Sequence, residues 1–257
     1  MTNVRIPRTH PRYKSLMVRE KLVKAYSEGI VVAEGLIAHG RGEAFDYILG
    51  EKSHEFALNA EKVAVASMLL SKRPVISVNG NYAVLAAEEI ARLSSLTGAP
   101  VEVNLFYRTE ERVRKIYRLL KQNGVSNVLP PECEKDRIQG LDSMRGIVCR
   151  DGIGSADFVL VAIEDGDRTQ ALTRIGKRVA AIDLNPFSRT AQAASITIVD
   201  EAARATKNMA EFARRYRGLD RRALQDIVGN YDNRETLKLA FKALLSRLSE
   251  ASQKGVL

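Results

Sequence analysis

Five short apolar runs, at residues 75–78, 101–106, 158–163, 179–183 and 196–200, alternate over much of the chain with stretches of helical periodicity. That alternation constrains the fold more than any other feature. The runs are rich in β-branched residues and too continuous to leave one face in water, so they read as strands of a parallel sheet covered by helices on both sides. The first run gives way to Asn79-Gly80-Asn81 and a helical stretch at 82–97. The second is followed by Thr109 as a helix N-cap, with Glu110 and Glu111 in the first turn and Gly124 as a stop. Beyond a polar connection containing Pro130 and Pro131, the order is strand at 158–163, helix at 168–175, strand at 179–183 and strand at 196–200, then a helix from about Glu201.

The flanks read as helical. Ser15 is a candidate N-cap, Leu16, Leu22, Val23 and Tyr26 supply an apolar face, and Gly29 is a stop. An apolar segment at 30–38 is expected to end in a loop, His39-Gly40-Arg41-Gly42, whose glycines allow close approach to a ligand. A helix is expected over 53–71. In the tail, Asp220 and Asn233 are candidate N-caps, and Leu237, Phe241, Leu244, Leu245 and Leu248 form a stripe that suits core or a dimer contact. The expectation is a single α/β domain over 1–257, with a helical N-terminal region (1–72), a sheet-containing core (73–218) and a helical tail (219–257).

At 257 residues and 45% hydrophobic content the chain can bury a core without covalent staples. Cys133 and Cys149 lie too far apart for a zinc knuckle or a redox CxxC pair, and are expected to be two reduced thiols. No charged segment followed by an apolar stretch opens the chain, and the longest apolar run, 158–163, is far too short to cross a bilayer. A cytoplasmic protein without a membrane partner is expected. The formal charge of +9 fits RNA or a site for several phosphates and carboxylates equally well.

In open α/β sheets ligands bind beyond the carboxyl ends of the strands. Four such places are polar: Asn79-Gly80-Asn81, Tyr107-Arg108-Thr109, 164–168 and 183–190. The last is the most informative. A strand-end carboxylate such as Asp183 accepts from ribose hydroxyls, Asn185 can read an amide or adenine edge, and Ser188, Arg189 and Thr190 suit phosphate. The same residues also make an ordinary turn in which Asp and Asn bond the backbone and Pro186 sets the bend. Glu164, Asp165 and Asp167 are dense enough for Mg²⁺, or for the acidic first turn of a helix. Asn79-Gly80-Asn81 offers donors to an anion, and also reads as a plain turn.

No G-x-x-x-x-G-K-[ST] loop occurs, and Gly152-x-Gly154 precedes a strand instead of following one, so a P-loop or a dinucleotide fingerprint is disfavoured. His10, His39 and His54 lack metal-ligand spacing, and no Ser-His-acid order stands out. Two rival classes stay open at this point. An NADP-dependent oxidoreductase would use Asp183 and Ser188-Arg189-Thr190 as a 2'-phosphate pocket, against the missing glycine fingerprint. A basic RNA-binding module would use the arginine-rich tail, against only 6% aromatic residues.

Taken together, several motifs resemble the archaeal phosphopantothenate synthetase (4-phosphopantoate:β-alanine ligase) family over nearly the whole chain. They are Ile6-Pro7 with His10-Pro11-Arg12-Tyr13 and Leu16, then 38–47 around His39-Gly40-Arg41-Gly42, then 75–81 and 102–110. The last two are Glu164-Asp165-Gly166-Asp167-Arg168 and Ala181-Ile182-Asp183-Leu184-Asn185-Pro186 with Ser188-Arg189-Thr190. The resemblance implies a Rossmann-like, mostly parallel sheet flanked by helices and a homodimer. It also implies ATP-dependent joining of 4-phosphopantoate to β-alanine, with AMP and pyrophosphate as products and Mg²⁺ as the expected metal. By the same resemblance Arg19, Arg41, Asp183, Leu184, Asn185, Ser188, Arg189 and Thr190 hold ATP. Arg19, Arg41 and Arg189 are expected to stabilise charge in the reaction, and Asn79, Gly80, Asn81 and Arg108 or Lys14, polar and near strand or helix ends, are expected to meet the substrate. No nucleic-acid partner is expected. The chain departs from the family pattern at Tyr82, where a smaller residue is expected, and at Ala86-Ala87, where a proline is expected.

Overall fold

The computed structural model describes residues 6–255. Its centre is a five-stranded parallel sheet of β1 (Pro74–Val78), β2 (Val101–Val103), β5 (Phe158–Ala162), β6 (Arg178–Ile182) and β7 (Ile196–Ile198), in the order β2-β1-β5-β6-β7. The chain moves outward from β1 to β2 and then reverses to β5, so the topological switch point lies between β1 and β5.

Alternation within the strands divides the core. Ile76, Val78, Leu160, Ala180 and Ile182 point into one cluster, with Val63, Met68, Tyr82, Ile90 and Met209 from α3 (Glu55–Leu70), α4 (Gly80–Thr97) and α8 (Ala202–Tyr216). Val75, Val159, Val161, Val179 and Ala181 point the other way, onto Ile138, Leu141, Val148, Ile153 and Leu172. Every strand residue in β1 and β5 is buried, as strands covered on both faces require.

The helices start where polar side chains can take their first amide groups. Asn79 Oδ1 accepts from Tyr82 N–H at 3.0 Å, and Thr109 Oγ1 accepts from Arg112 N–H at 3.2 Å at the start of α5 (Glu110–Gln122). Glu201 accepts from Ala203 N–H and Arg204 N–H, opening α8. Tyr82 is fully buried and its hydroxyl pairs with Thr206 at 2.9 Å, which fixes α4 to α8. Ala86 breaks the regular geometry of α4 (φ −135°, ψ 25°), so the helix kinks there.

Several expectations are corrected. Residues 39–42 are not a loop; they lie inside α2 (Ala33–Leu49). The interior glycines cost that helix about 1 kcal/mol each, and packing of Leu49, Phe45 and Ile48 against α10 (Asn233–Lys254) outweighs it. Ser15 lies within α1 (Tyr13–Ser27), whose cap position is Arg12. A short helix, α7 (Arg189–Ala193), stands between β6 and β7, because parallel neighbours need a crossover. The cap of α10 is Asp232, which accepts from Arg234 N–H at 2.8 Å. Asn233 instead accepts from Thr197 N–H at 2.6 Å and so ties the tail to β7. In the tail, Leu237 and Leu244 are buried, whereas Leu245 and Leu248 face outward.

The two cysteines are not reduced thiols: Cys133 and Cys149 form a disulfide. Two unforeseen strands, β3 (Lys135–Arg137) and β4 (Ile147–Cys149), pair antiparallel with Lys135 opposite Cys149. That pairing brings the two Cα atoms to 5.7 Å, within disulfide reach. All three residues of β3 are charged and exposed, so no hydrophobic alternation marked it.

Candidate functional site

The carboxyl ends of β5, β6 and β7 open into a cleft of about 900 Å³, a size that suits a nucleotide-sized ligand. Its floor carries Glu164 and Asp165 after β5, Asp183 to Asn185 after β6, and Asp200 and Glu201 after β7. Its opposite wall is α2, through His39, Arg41, Gly42 and Glu43, with the segment Arg8 to Ser15 at the rim. Gly42 of α2 faces Leu184 on the floor, where a Cβ would make ordinary van der Waals contact with Leu184 Cδ1 at 3.6 Å. Arg12 clamps the rim onto α2, pairing with Glu43 at 3.0 Å and lying over the Tyr47 ring.

The turn after β6 holds its own shape. Asp183 Oδ1 accepts from Asn185 N–H at 2.9 Å, Asp183 Oδ2 accepts from the Ser188 hydroxyl, and Asn185 Oδ1 accepts from Phe187 N–H at 2.9 Å. Ser188 Oγ also accepts from Ala191 N–H, capping α7. Burial pushes the Asp183 carboxyl up, opposed by those hydrogen bonds and by the Arg41 charge. Arg41 faces this carboxylate across the cleft and forms no ion pair among the described residues.

The structure therefore brings Arg41, Asp183, Leu184, Asn185 and Ser188 into one cleft. The other expected nucleotide contacts lie at its margin. Arg19 is bound to Glu43, with Nε 3.0 Å from Oε2. Arg189 reaches outward to Gln170 at 2.8 Å, and Thr190 is buried with its hydroxyl donated to the Glu164 carbonyl at 2.7 Å.

The residues expected at the substrate do not line the cleft. Asn79 Nδ2 donates to the carbonyls of Ala162 and Ile163, and Asn81 Nδ2 donates to the Gly35 carbonyl at 2.7 Å. Gly80 packs directly on the Ile30 carbonyl, and Arg108 pairs with Glu110 at 3.5 Å. The amides of Asn79 and Asn81 are thus engaged in joining elements, whereas Arg108 makes a local pair.

The acidic cluster after β5 is neutralised by arginines. Glu164 pairs with Arg168, whose side chain is fully buried, and with Arg145 at 2.7 Å, while Arg145 Nε lies 2.5 Å from Asp165 Oδ2. Among the described residues no three His, Cys, Asp or Glu side chains are grouped to hold a metal. Arg145 comes from the disulfide-bridged excursion between β2 and β5, and no local pattern pointed to it.

A second acidic group was missed although it obeys the strand-end rule. Asp200 follows β7, and Arg204 joins it to Asp46 of α2, with Arg204 to Asp46 at 2.6 Å. Burial opposes the Arg204 charge, but its bonds to Asp46 and Asp200 prevail and hold it firmly protonated. Behind Asp200 sits Glu61, wholly buried, pushed up to about 9 by burial and by the neighbouring Asp200 charge. His39 is shifted the other way: burial holds its imidazole below the ordinary histidine range, against the pull of Glu43.

Doubly wound topology with a charged cleft at the strand ends defines a small-molecule-binding α/β protein in which acids and bases share one crevice. Residues 56–247 match the phosphopantothenate/pantothenate synthetase family. The chain belongs to that family. It is 48% identical over 253 residues to a protein of Thermococcus kodakarensis, covering 98% of this chain and 97% of that one. It is 56% identical over 207 residues to one of Methanospirillum hungatei (80% and 84%), and 47% identical over 243 residues to one of Methanosarcina mazei (95% of each). All three are named 4-phosphopantoate--beta-alanine ligase. These relatives give no support to the oxidoreductase and RNA-binding readings.

Proposed function

We propose that this chain joins 4-phosphopantoate to β-alanine at the expense of ATP, giving 4'-phosphopantothenate, AMP and pyrophosphate. The observation that carries the reading is the meeting of Arg41 with the Asp183 turn in one cleft, in a chain aligned along almost its full length with ligases of that name.

Release of AMP requires the phosphopantoate carboxylate to attack the α-phosphate, expelling pyrophosphate and leaving an acyl-adenylate. The amine of β-alanine then attacks the acyl carbon and AMP departs with the electron pair. The protein's contribution is positioning and charge: Asp183 accepts from the ribose, and Arg41 meets the polyphosphate. Arg8, Arg12 and Lys14 at the rim supply positive charge for the substrate phosphate. Arg19 acts through Glu43, to which it is bound, and Arg189 and Thr190 shape the turn from its outer side. Asn79, Gly80 and Asn81 serve the site as framework beside the crevice.

Glu164 is paired with Arg145 and Arg168, so Mg²⁺ would be held chiefly by phosphate oxygens and water, the usual habit of this ion. It supplies charge neutralisation on the polyphosphate. The exposed leucines of α10 suit a homodimer, and a cytoplasmic setting suits an ATP-consuming step. No helix among the described residues is long and apolar enough to cross a membrane.

The test is to incubate the protein with ATP, Mg²⁺, 4-phosphopantoate and β-alanine. AMP and the amide are expected in equal amounts, each dependent on all the substrates. Formation of ADP instead of AMP, or no amide, overturns the reading.

A further inference from the structure

Eight carboxylates line the cleft, and apart from Glu51, exposed beyond the end of α2, the structure gives all but one of them a task. Glu43 is bound by Arg12 and Arg19; Asp46 and Asp200 are bound by Arg204. Asp183 bonds Ser188 and the Asn185 amide, Glu201 takes two amide groups of α8, and Glu164 sits between Arg145 and Arg168. Asp165 differs. It stands at the N-cap position of α6 (Gly166–Arg174) yet makes no capping hydrogen bond. One oxygen, Oδ2, is buried against Arg145 in ion-pair contact without hydrogen-bond alignment, while 38% of its side chain remains exposed.

Its position is equally particular. The next residue, Gly166, is pressed so closely on the start of α7 that a Cβ there would collide with Arg189. Asp165 therefore borders the Ser188-Arg189 end of the nucleotide turn. An amine attacking an acyl-adenylate must lie beside the acyl carbon, one oxygen away from the α-phosphate, and β-alanine arrives as an ammonium ion that cannot attack until it loses a proton.

We infer that Asp165 is a catalytic residue of the second half of the reaction, receiving the β-alanine ammonium on its exposed carboxylate oxygen and taking one proton from it as the nitrogen attacks. One ammonium N–H bond breaks and its proton goes to the carboxylate, the freed lone pair forms the C–N bond, and the acyl–phosphate bond breaks with AMP leaving; the second nitrogen proton passes to the departing phosphate or to water, which leaves the neutral amide. Arg145 steadies the carboxylate from behind; the other charges facing it are Glu164, Asp167 and Arg168 of its own loop and helix. Burial moves the Asp165 carboxyl upward from its ordinary range, with Arg145 opposing, which improves it as a proton acceptor.

This inference rests on the adenylate reading above, and one experiment separates the two. Phosphopantoate-dependent exchange of pyrophosphate into ATP reports the first half-reaction without β-alanine. Amide formation reports both halves, and hydroxylamine, uncharged at neutral pH, reports capture of the acyl group without an ammonium to deprotonate. For Asp165→Asn and Asp165→Ala, exchange and hydroxamate formation are expected to persist. The kcat/KM for β-alanine falls about a hundredfold or more, as loss of a general base requires. Exchange lost in parallel with amide formation, or restored by added Mg²⁺, overturns the proposal, because Asp165 would then serve the nucleotide. Unchanged kinetics with β-alanine overturn it as well. Absence of exchange in the unsubstituted protein overturns only the adenylate reading, and the β-alanine kinetics of Asp165→Asn still decide on Asp165.

Discussion

Asn79, at the end of β1, donates its side-chain amide to the carbonyl of Ile163 at 3.1 Å, and Ile163 holds a left-handed backbone with φ 51°. A β-branched residue is strained there, and such strain persists only where the surroundings over-determine it. The same amide reaches the Ala162 carbonyl at 2.8 Å, so one side chain bridges β1 to β5 across the topological switch point. Ile163 is the residue before Glu164 and Asp165, and its conformation aims both at the cleft. Asn79→Ala is expected to cost about 2–3 kcal/mol, a helix cap plus buried amide bonds, measured by denaturant unfolding. Asn79→Asp keeps the cap and loses the amide donors. Ligase activity should fall in both variants.

Glu61 makes stability depend on pH. Its folded-state value of about 9 stands above the ordinary 4.5, so the folded state retains a proton that the unfolded chain releases. The stabilisation is complete below about pH 4.5, declines as pH rises, and is lost on passing the folded value. Glu61→Gln should flatten the fall in Tm between neutral and alkaline pH while keeping the contact with Asn208. An identical pH profile in the variant would show that another group governs the decline.

Arg41 and Asp183 face each other across the cleft, so each should contribute to nucleotide binding separately. Arg41→Ala and Asp183→Ala are each expected to weaken ATP binding about tenfold or more, as loss of a charged hydrogen bond does, read by calorimetric titration. Unchanged affinity in both would remove the nucleotide from this cleft.

The Cys133–Cys149 disulfide closes a short loop on the excursion that carries Arg145. The double substitution Cys133→Ser, Cys149→Ser is expected to lower stability by about 3 kcal/mol through loop entropy in the unfolded chain. A reducing agent should match that loss in the unsubstituted protein and have no effect on the double variant.

The strands were legible because each is a continuous apolar run, and a sheet covered on both faces leaves that mark whatever its partners are. The turn after β6 was legible for a similar local reason: an Asp and an Asn near a proline at a strand end can act only over a few residues. Strand β3 left no mark, since Lys135 to Arg137 are all charged and exposed, and β4 is only three residues long. The glycines of α2 misled because local propensity favours a loop, and only contacts with α10 override it. Asp200 was within reach of the strand-end rule that singled out Asp183. Glu61, Arg145 and the disulfide were not, because each depends on partners at least sixteen positions away in sequence.

The sequence by itself determined the class of fold and the family, since each rests on local pattern and on motifs in fixed order. Tertiary structure decided which of those polar residues share a cleft. In sequence, Asn79 and Asp183 look like equal candidates. In the fold, the amide of Asn79 is engaged by the carbonyls of a neighbouring strand, outside the cleft, whereas the Asp183 carboxylate, bonded within its own turn, lines the cleft opposite Arg41. Whether a polar residue reaches a cleft depends on what long-range packing places beside it, and that is settled only when the sheet closes.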